Sequence, residues 1–147
     1  MTTANLAADL RRDEGCRLQA YPDPVSGGAP WTIGFGHAGL DVHPGLAWTL
    51  EQAQAALAAD VAAKEAQLDA AMPWWRKLDD IRQDSVVNLA FNLGVHGLSK
   101  FGTFLDFMRA GKFAQAALDL SATPWAKEVG ARAKRIIVQI RTGIHQA

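Results

Sequence analysis

Two carboxylates and one hydroxyl near the start of the chain have the residue types that acid–base chemistry on a sugar requires. Glu14 is followed by Gly15, Asp23 stands between two prolines, and Thr32 belongs to the stretch Trp-Thr-Ile-Gly-Phe-Gly-His. Hydrolysis of a glycosidic bond needs a carboxylic acid that donates a proton, and a second polar group that activates water or stabilises the oxocarbenium ion. These three side chains are therefore candidates for such a reaction.

Glu14 lies where a first helix is predicted to end. Thr2 or Thr3 can cap this helix, and Gly15 can terminate it in the left-handed conformation. The negative end of the helix dipole disfavours an ionised carboxylate, which is the direction a general acid requires. A solvated glutamate at a frayed helix end explains the position equally well.

Asp23 has two interpretations as well. The rings of Pro22 and Pro24 stiffen the backbone around it and would hold the carboxylate exposed. A plain turn-forming aspartate is the alternative, and the local sequence does not decide between them.

The stretch that contains Thr32 is predicted to be a strand with one nearly bare face. Strict alternation would place large side chains on one face and small ones on the other: Trp31, Ile33 and Phe35 against Thr32, Gly34 and Gly36. A bare face would let a sugar approach the backbone at Gly34, with Thr32 as the hydrogen-bonding side chain. Alternation would also place His37 beside Phe35, which favours a structural role over that of a catalytic base.

The motifs around these residues resemble the active-site signature of T-even-phage-type lysozymes, glycoside hydrolase family 24. They are Arg-Arg-Asp13-Glu14-Gly-Cys-Arg-Leu, Tyr21-Pro-Asp23 and Trp31-Thr32-Ile-Gly-Phe-Gly-His37. The resemblance continues through Thr49-Leu-Glu-Gln, Asn88-Leu-Ala-Phe-Asn-Leu-Gly, Arg132-Ala-Lys-Arg-Ile-Ile and Arg141-Thr-Gly. It therefore extends over nearly the whole chain.

The resemblance implies hydrolysis of the β-1,4 bond between N-acetylmuramic acid and N-acetylglucosamine in bacterial peptidoglycan. Glu14 would be the general acid, Asp23 would activate water or stabilise the cationic sugar, and Thr32 would orient the water. The loop at residues 24–30 is a few residues longer than in the best-known members. The separation of the two carboxyl groups, which decides between inversion and retention, is therefore open.

The resemblance also implies roles outside the catalytic set. Phe101 and Trp125 correspond to residues that line the sugar cleft, although core packing accounts for both equally well. His37 would pair with Asp60 in a structural contact. A second framework pair, Asp13 with Arg132, would tie the first helix to the last.

The rest of the chain is predicted to be helical, so the fold class is α+β, mainly α. Thr49 and Gln52 form a capping box at the start of a long helix that Pro73 closes. Further helices are predicted at residues 80–93, 101–110, 113–120 and 132–142. The resemblance implies a lysozyme-like two-lobe fold in one domain, 1–147: a small β lobe (15–48), an inter-lobe helix (49–72), and a helical lobe (73–147 with 1–14).

The charge balance disfavours nucleic acid as a partner. Fifteen Lys and Arg residues match fifteen Asp and Glu residues, so no global field attracts the chain to a polyanion. From Thr123 onward the chain contains one acidic residue, Glu128, and five basic residues: Lys127, Arg132, Lys134, Arg135 and Arg141. This basic tail is compatible with weak contact with an anionic membrane, but the apolar stripe of Ile136, Ile137, Ile140 and Ile144 favours an ordinary amphipathic helix. We expect a monomer.

The number and spacing of the Cys and His residues limit which disulfides, metal sites and functions are possible. Cys16 is the single cysteine, so no internal disulfide can form, and the four histidines lack metal-ligand spacing, so we expect no metal and no cofactor. A Cys-His amidase that uses Cys16, a lytic transglycosylase with Glu14 alone, a noncatalytic wall-binding module and a helical DNA-binding regulator are the competing functions. Asp23 and Thr32 disfavour the transglycosylase.

The first residues contain no basic segment followed by an apolar segment, so no signal peptide is expected. Family resemblance then implies accumulation in the host cytoplasm and passage to the wall through a holin-type pore. A tail-associated or prophage-encoded enzyme is the alternative.

Overall fold

The computed structural model describes residues 3–147, in which the chain forms two compact units. One is Ala7–Ala63, and the other joins residues 3–6 to Lys64–Ala147. The mixed composition of a small sheet and many helices confirms the predicted α+β, mainly α, class. The sequence-based boundaries at residues 14, 48 and 72 stay a prediction.

Helix α1, Ala4–Glu14, begins at Thr3 and ends at Gly15, as the sequence predicts. The main-chain N–H of Leu6 donates to the hydroxyl of Thr3 at 3.2 Å, and Gly15 has a left-handed φ of 65°. The alternative cap, Thr2, lies outside the described residues. Leu6 and Leu10 are buried, so the apolar face of α1 holds it in place and Glu14 falls at its C-terminal end.

A three-stranded antiparallel sheet follows α1 in the unit Ala7–Ala63. Its strands are β1 (Arg17–Tyr21), β2 (Thr32–Gly34) and β3 (His37–Ala38), in the spatial order β1-β2-β3. The outer edge of β1 is paired too, because Ala20 donates to the carbonyl of Leu46 and Trp48 donates to that of Leu18. This second pairing returns the chain toward the next helix.

The alternation predicted from Trp31 to His37 is wrong beyond Gly34. Ile33 pairs with His37, so the chain reverses at Phe35 and Gly36 instead of continuing as one strand. Gly34 and Gly36 have φ values of 68° and 81°, which only glycine adopts readily. The two glycines therefore make a turn, and His37 begins the third strand.

Helix α2, Leu50–Ala71, has the bounds that its sequence signals predict. Both hydrogen bonds of the capping box are formed: Thr49 N–H donates to the Gln52 side chain at 2.8 Å, and Gln52 N–H donates to the Thr49 hydroxyl at 3.2 Å. Residues 50–63 belong to the first unit and residues 64–71 to the second.

The unit that contains Lys64–Ala147 is a cluster of helices around one apolar core. After α2 come a 3₁₀ helix at Pro73–Lys77 and the helices α3 (Asp80–Ser99), α4 (Gly102–Arg109), α5 (Phe113–Ser121), α6 (Pro124–Val129) and α7 (Ala131–Thr142). The large side chains that this core buries almost completely include Trp75, Leu89, Leu98, Phe104, Met108, Leu120, Ile136 and Ile140.

Three details of this unit differ from the prediction. Gly94 interrupts α3 with φ 75° as expected, but helix resumes after it and runs to Ser99. Helix α6 was not predicted, although Thr123 caps it and Pro124 occupies its first turn. Ile144 lies beyond the end of α7 and is 64% exposed, so it does not extend the apolar stripe.

Within residues 3–147, no helix combines the length and the apolarity that a membrane crossing requires.

Candidate active site

The carboxyl group of Glu14 lies against the turn between β2 and β3. A Cβ atom built on Gly36 would lie 3.0 Å from Oε2 of Glu14, which is closer than ordinary van der Waals contact. Gly36 therefore leaves the space that the carboxyl group occupies. Glu14 itself is half-buried, so its side chain is neither in bulk solvent nor sealed in the core.

Asp23 is held in a tight turn by its own backbone and side chain. Its N–H donates to the carbonyl of Gly28 at 2.9 Å, and its carbonyl accepts from Gly27 at 2.8 Å. Oδ2 accepts from the main-chain N–H of Ser26 at 2.9 Å. Among residues 3–147, Oδ1 has no hydrogen-bond partner, so one oxygen of this half-buried carboxylate is open to a water or a sugar.

Thr32 occupies the first position of the central strand. Its Cα pairs with Tyr21 on one side and with Ala38 on the other, so its backbone is fixed from both sides. Asp23 follows Tyr21 by two residues, and this register brings the Asp23 turn to the end of β2 at which Thr32 lies. In the described part of the chain, the Thr32 hydroxyl has no hydrogen-bond partner.

Gly34 does not offer the bare surface that alternation predicts. It is buried, and a Cβ atom there would lie 3.1 Å from the Trp48 ring and 3.3 Å from Cβ of Ala53. The absence of a side chain lets β2 pack against Trp48 and α2. The bare-face argument is therefore wrong at Gly34, and a substrate contact there stays a prediction.

His37 joins two carboxylates next to the site. Its Nδ1 lies 2.8 Å from Oδ2 of Asp60 on α2, and its Nε2 lies 2.9 Å from Oδ2 of Asp41. The pair with Asp60 is the one that the family resemblance implies, and Asp41 is an additional partner. The His37 ring also lies 5.5 Å from the Trp48 ring, centroid to centroid.

These contacts change the pKa values of His37 and Asp41 in opposite directions. Partial burial lowers the pKa of His37, but the hydrogen bonds and charges of Asp41 and Asp60 outweigh it and raise the pKa above the ordinary 6.5. The hydrogen bond from His37 lowers the pKa of Asp41 below 3.8. A His37 ring bonded to two carboxylates suits a structural contact between β3 and α2 better than it suits a catalytic base.

The second framework pair, Asp13 with Arg132, stays a prediction. Asp13 accepts from Nε of Arg12 at 3.1 Å. In the helical unit, Nε of Arg132 donates to the side-chain oxygen of Asn88 at 2.9 Å.

Phe101 and Trp125, predicted from resemblance to bind substrate, line one groove of about 450 Å³ in the helical unit. Lys100, Thr103, Asp119 and Thr123 supply its polar atoms. Trp125 is only 7% exposed, and its indole N–H donates to the side-chain oxygen of Asn92 at 2.6 Å. It therefore packs in the core and also borders the groove, and a contact with substrate stays a prediction.

No metal centre is built into the described part of the chain: no group of three or more His, Cys, Asp or Glu side chains there is arranged to hold an ion.

Sequence reasoning missed the roles of three residues in these sites. Gly36 makes room for Glu14, Asp41 is the second partner of His37, and Asn92 satisfies the indole of Trp125. The Gly-Phe-Gly spacing carried a signal for the turn at Gly36. Asn92 carried none, since it meets Trp125 across 33 positions of sequence.

Comparison with known proteins shows which proteins this chain is similar to. The family model described as phage lysozyme matches residues 11–141, a range that includes Glu14, Asp23 and Thr32. The chain is similar to the pre-baseplate central spike protein Gp5 of Enterobacteria phage T4, with 31% identity over 95% of this chain and 28% of that protein. It is also similar to the endolysin of Bacillus phage B103, with 34% identity over 82% of this chain and 44% of the relative.

A further relative is a probable T4-type lysozyme of Dictyostelium discoideum, with 30% identity over 47% of this chain and 41% of that protein. The chain thus spans less than half the length of each of these relatives.

Proposed function

Because this chain belongs to the phage lysozyme family, we propose that it hydrolyses the β-1,4 bond between N-acetylmuramic acid and N-acetylglucosamine in bacterial peptidoglycan. The observation that carries the proposal is the position of Glu14. Its carboxyl group lies at the end of α1 against a turn whose positive φ values favour glycine, half-shielded from solvent.

Glu14 is the general acid in this reaction. Its proton passes to the glycosidic oxygen as the bond from that oxygen to C1 of N-acetylmuramic acid breaks, and positive charge develops on the sugar. Water adds to C1 and releases a proton. Glu14 becomes a carboxylate when it gives up its proton. A second group must therefore activate the water or stabilise the positive charge on the sugar.

Asp23 and Thr32 are the groups that fit this task. Oδ1 of Asp23 accepts a proton or a hydrogen bond from the attacking water, or faces the cationic sugar, while Oδ2 is occupied by Ser26. The hydroxyl of Thr32 orients the water from the central strand, whose backbone is fixed on both sides. Each polar group thus has a fixed backbone and an available oxygen.

The groove bordered by Phe101 and Trp125 contributes to substrate binding in this proposal. An aromatic edge packs against the apolar face of a pyranose ring, while Thr103 and Asp119 can hydrogen-bond its hydroxyls. Gly34 acts indirectly, since it lets β2, the strand to which Thr32 belongs, pack against Trp48.

Host-cell lysis is the process we propose for the activity. Two endolysins of Bacillus phages match 82% of this chain at 32–34% identity, which supports a lytic enzyme that acts on the wall. The similarity to a central spike protein makes a tail-associated enzyme the second candidate. Expression in bacterial cytoplasm with and without a membrane pore separates them: lysis that depends on the pore supports the endolysin.

The catalytic proposal is tested by digesting purified peptidoglycan with the wild type and Glu14→Gln, and identifying the fragments by mass spectrometry. The wild type should release muropeptides with reducing N-acetylmuramic acid ends. Glu14→Gln should lose at least about 10²-fold in turnover, because the amide cannot donate the proton, while its melting temperature stays close to that of the wild type.

Glu128→Gln is the matched control, because it makes the same substitution at an exposed position on α6. It should keep full turnover. Fragments with 1,6-anhydro ends would identify a lytic transglycosylase, and release of free peptides would identify an amidase. Binding without any fragment would identify a wall-binding module, and each of these results rejects the proposal.

A further inference from the structure

A second groove of about 420 Å³ lies in the helical unit, outside the residues assigned above. Its walls come from the 3₁₀ helix Pro73–Lys77 and from the connection between α4 and α5. The side chain of Gln83 donates to the carbonyls of Arg76 and Leu78, which fixes the first wall. Gly111, with φ 75°, forms the bend of the second wall.

Phe113 lines this groove, and Arg82 holds its ring from outside the lining. The guanidinium carbon of Arg82 lies 3.7 Å from the centroid of the Phe113 ring. Arg82 also donates to Oδ1 of Asp79 at 2.9 Å, and its main-chain N–H donates to Oδ2 at 3.2 Å. Both oxygens of Asp79, which also lines the groove, are thus occupied by Arg82.

Two cations on the groove are left without a counter-ion. Lys77 and Arg109 both line it, and within residues 3–147 neither lies within ion-pair distance of a carboxylate. Because Asp79 is neutralised by Arg82, the groove carries an excess of positive charge. A site of this kind favours an anionic ligand.

The groove also has aromatic walls. Trp74 and Phe113 are both half-exposed and both line it. Aromatic rings next to unpaired cations suit a ligand that combines a ring with an apolar face and an anionic substituent. The volume lies in the range of small-molecule sites and accommodates a sugar with a charged group.

We propose that this groove is a second carbohydrate site, which binds an anionic saccharide with its ring on Trp74 and its negative group between Lys77 and Arg109. That the saccharide belongs to the bacterial envelope rests on the proposed function. Such a site would hold the enzyme on the wall between cleavage events without taking part in the chemistry.

The anionic group can come from two sources. Peptidoglycan supplies the carboxylates of its stem peptides and of lactyl groups that carry no peptide, and other envelope glycans supply phosphates. Both present the same chemistry to Lys77 and Arg109, because each is an oxyanion that accepts charge-assisted hydrogen bonds.

The test is a titration followed by ¹⁵N-NMR at the indole N–H of Trp74, assigned with Trp74→Phe, in the inactive Glu14→Gln protein. The probes are N-acetylmuramyl dipeptide, N-acetylglucosamine 6-phosphate and neutral N-acetylglucosamine. We expect the Trp74 signal to shift with the two anionic probes at millimolar concentration, and less at high salt. The more tightly bound anionic probe identifies the source.

The double variant Lys77→Ala/Arg109→Ala should weaken the binding of the anionic probes at Trp74 about five- to tenfold, the size expected for two ion pairs at exposed side chains. Lys127→Ala/Lys134→Ala removes the same charge from exposed positions outside the groove and should change nothing. No Trp74 shift, an equal shift with the neutral sugar, or unchanged affinity in the double variant overturns the proposal.

In the same spectra, the indole N–H signal of Trp125 reports binding in the groove that Phe101 and Trp125 line. Binding there is therefore not mistaken for binding at Trp74. Because digestion by the wild type is measured separately, loss of the Trp74 site and loss of the proposed activity are distinguishable results.

Discussion

At the residue scale, the site depends on the fit between one carboxylate and one glycine. Glu14 gains its position from the end of α1, but the space for its carboxyl group comes from Gly36, 22 positions later. General acid catalysis depends on the geometry of the donor, and displacements of about 1 Å can cost about 10²-fold in rate. Gly36 is therefore expected to act as a positioning residue.

Replacing Gly36 by alanine tests this role. The new methyl group would lie 3.0 Å from Oε2 of Glu14, so the carboxyl group must shift by a few tenths of an ångström. The φ of 81° adds backbone strain of about 1–2 kcal/mol. We expect Gly36→Ala to lower the melting temperature and to reduce turnover about tenfold, measured on soluble glycan fragments.

Gly45→Ala separates the two effects. Gly45 has a φ of 86° and nothing within 4 Å of its would-be Cβ, so alanine there adds similar strain without touching Glu14. It should lose stability but keep its turnover. Equal turnover losses in the two variants would show that Gly36 does not position Glu14.

The sequence predicted the position of Glu14 in the fold better than it predicted the surroundings of Gly34. Glu14 could be placed at a helix end because Gly15 is a local stop signal. The environment of Gly34 was predicted wrongly, because alternation was extended through two glycines whose positive φ ends a strand. A local pattern cannot tell a bare strand face from a buried turn, since both need glycine.

At the element scale, His37 connects β3 to helix α2. Its two ring nitrogens bond to Asp60 on α2 and to Asp41 in the loop after β3. Protonation of the ring strengthens both contacts, because each partner is a carboxylate. This explains why the pKa of His37 is raised in spite of its partial burial.

The raised pKa predicts how stability depends on pH. A group whose pKa is higher in the folded state stabilises the protein fully below its unfolded value of 6.5, and this stabilisation is lost as the pH rises through the folded pKa. The difference in melting temperature between wild type and His37→Asn should therefore be largest near about pH 6 and shrink toward about pH 9. Thermal unfolding followed by circular dichroism measures both variants.

His43→Asn provides the comparison. His43 bonds to the main-chain carbonyl of Pro44 and, in the described part of the chain, contacts no carboxylate. Its replacement should give a much smaller change in melting temperature. If His37→Asn abolishes turnover while leaving the melting temperature unchanged at every pH, the structural role is refuted.

Elements with strong local signals were predicted to the residue, and those without such signals were not. Helix α2 has a capping box at one end and Pro73 after the other, and both ends are where these signals place them. The helix after Gly94 and the short helix α6 were missed. Thr123-Pro124 is a start signal, but a six-residue helix owes its stability mainly to the burial of Trp125 in the core, which sequence does not reveal.

At the scale of the whole molecule, the chain has no net charge, yet one arginine side chain makes contacts with several helices. Arg82 lies at the start of α3, with its side chain 14% exposed, and joins α3, α5 and α7. Besides Asp79 and the Phe113 ring, it donates to the carbonyls of Ile140 at 2.7 Å and Arg141 at 3.2 Å. These carbonyls belong to the last turn of α7, which leaves such groups without partners inside the helix.

Replacing Arg82 by alanine removes all of its side-chain contacts at once and keeps only the main-chain hydrogen bond to Asp79. Two carbonyls lose their donors, Asp79 loses its counter-ion, and the Phe113 ring loses its cover, so we expect a loss of about 2–4 kcal/mol in the free energy of unfolding. Urea denaturation measures it. A Cβ atom built on Gly143 would lie 2.9 Å from Nη1 of Arg82. The end of α7 therefore packs closely against this side chain.

Arg76→Ala is the matched comparison, because Arg76 also makes several charged contacts but is 39% exposed. It lies 2.8 Å from Asp69 and 3.1 Å from Glu65, and its guanidinium covers the Trp75 ring at 4.2 Å. Water screens these contacts, so the loss should be smaller than that of Arg82→Ala. If the two variants lose equal stability, the main-chain carbonyls at the end of α7 do not depend on Arg82, and the number of charged contacts, rather than their burial, decides the stability of the helical unit.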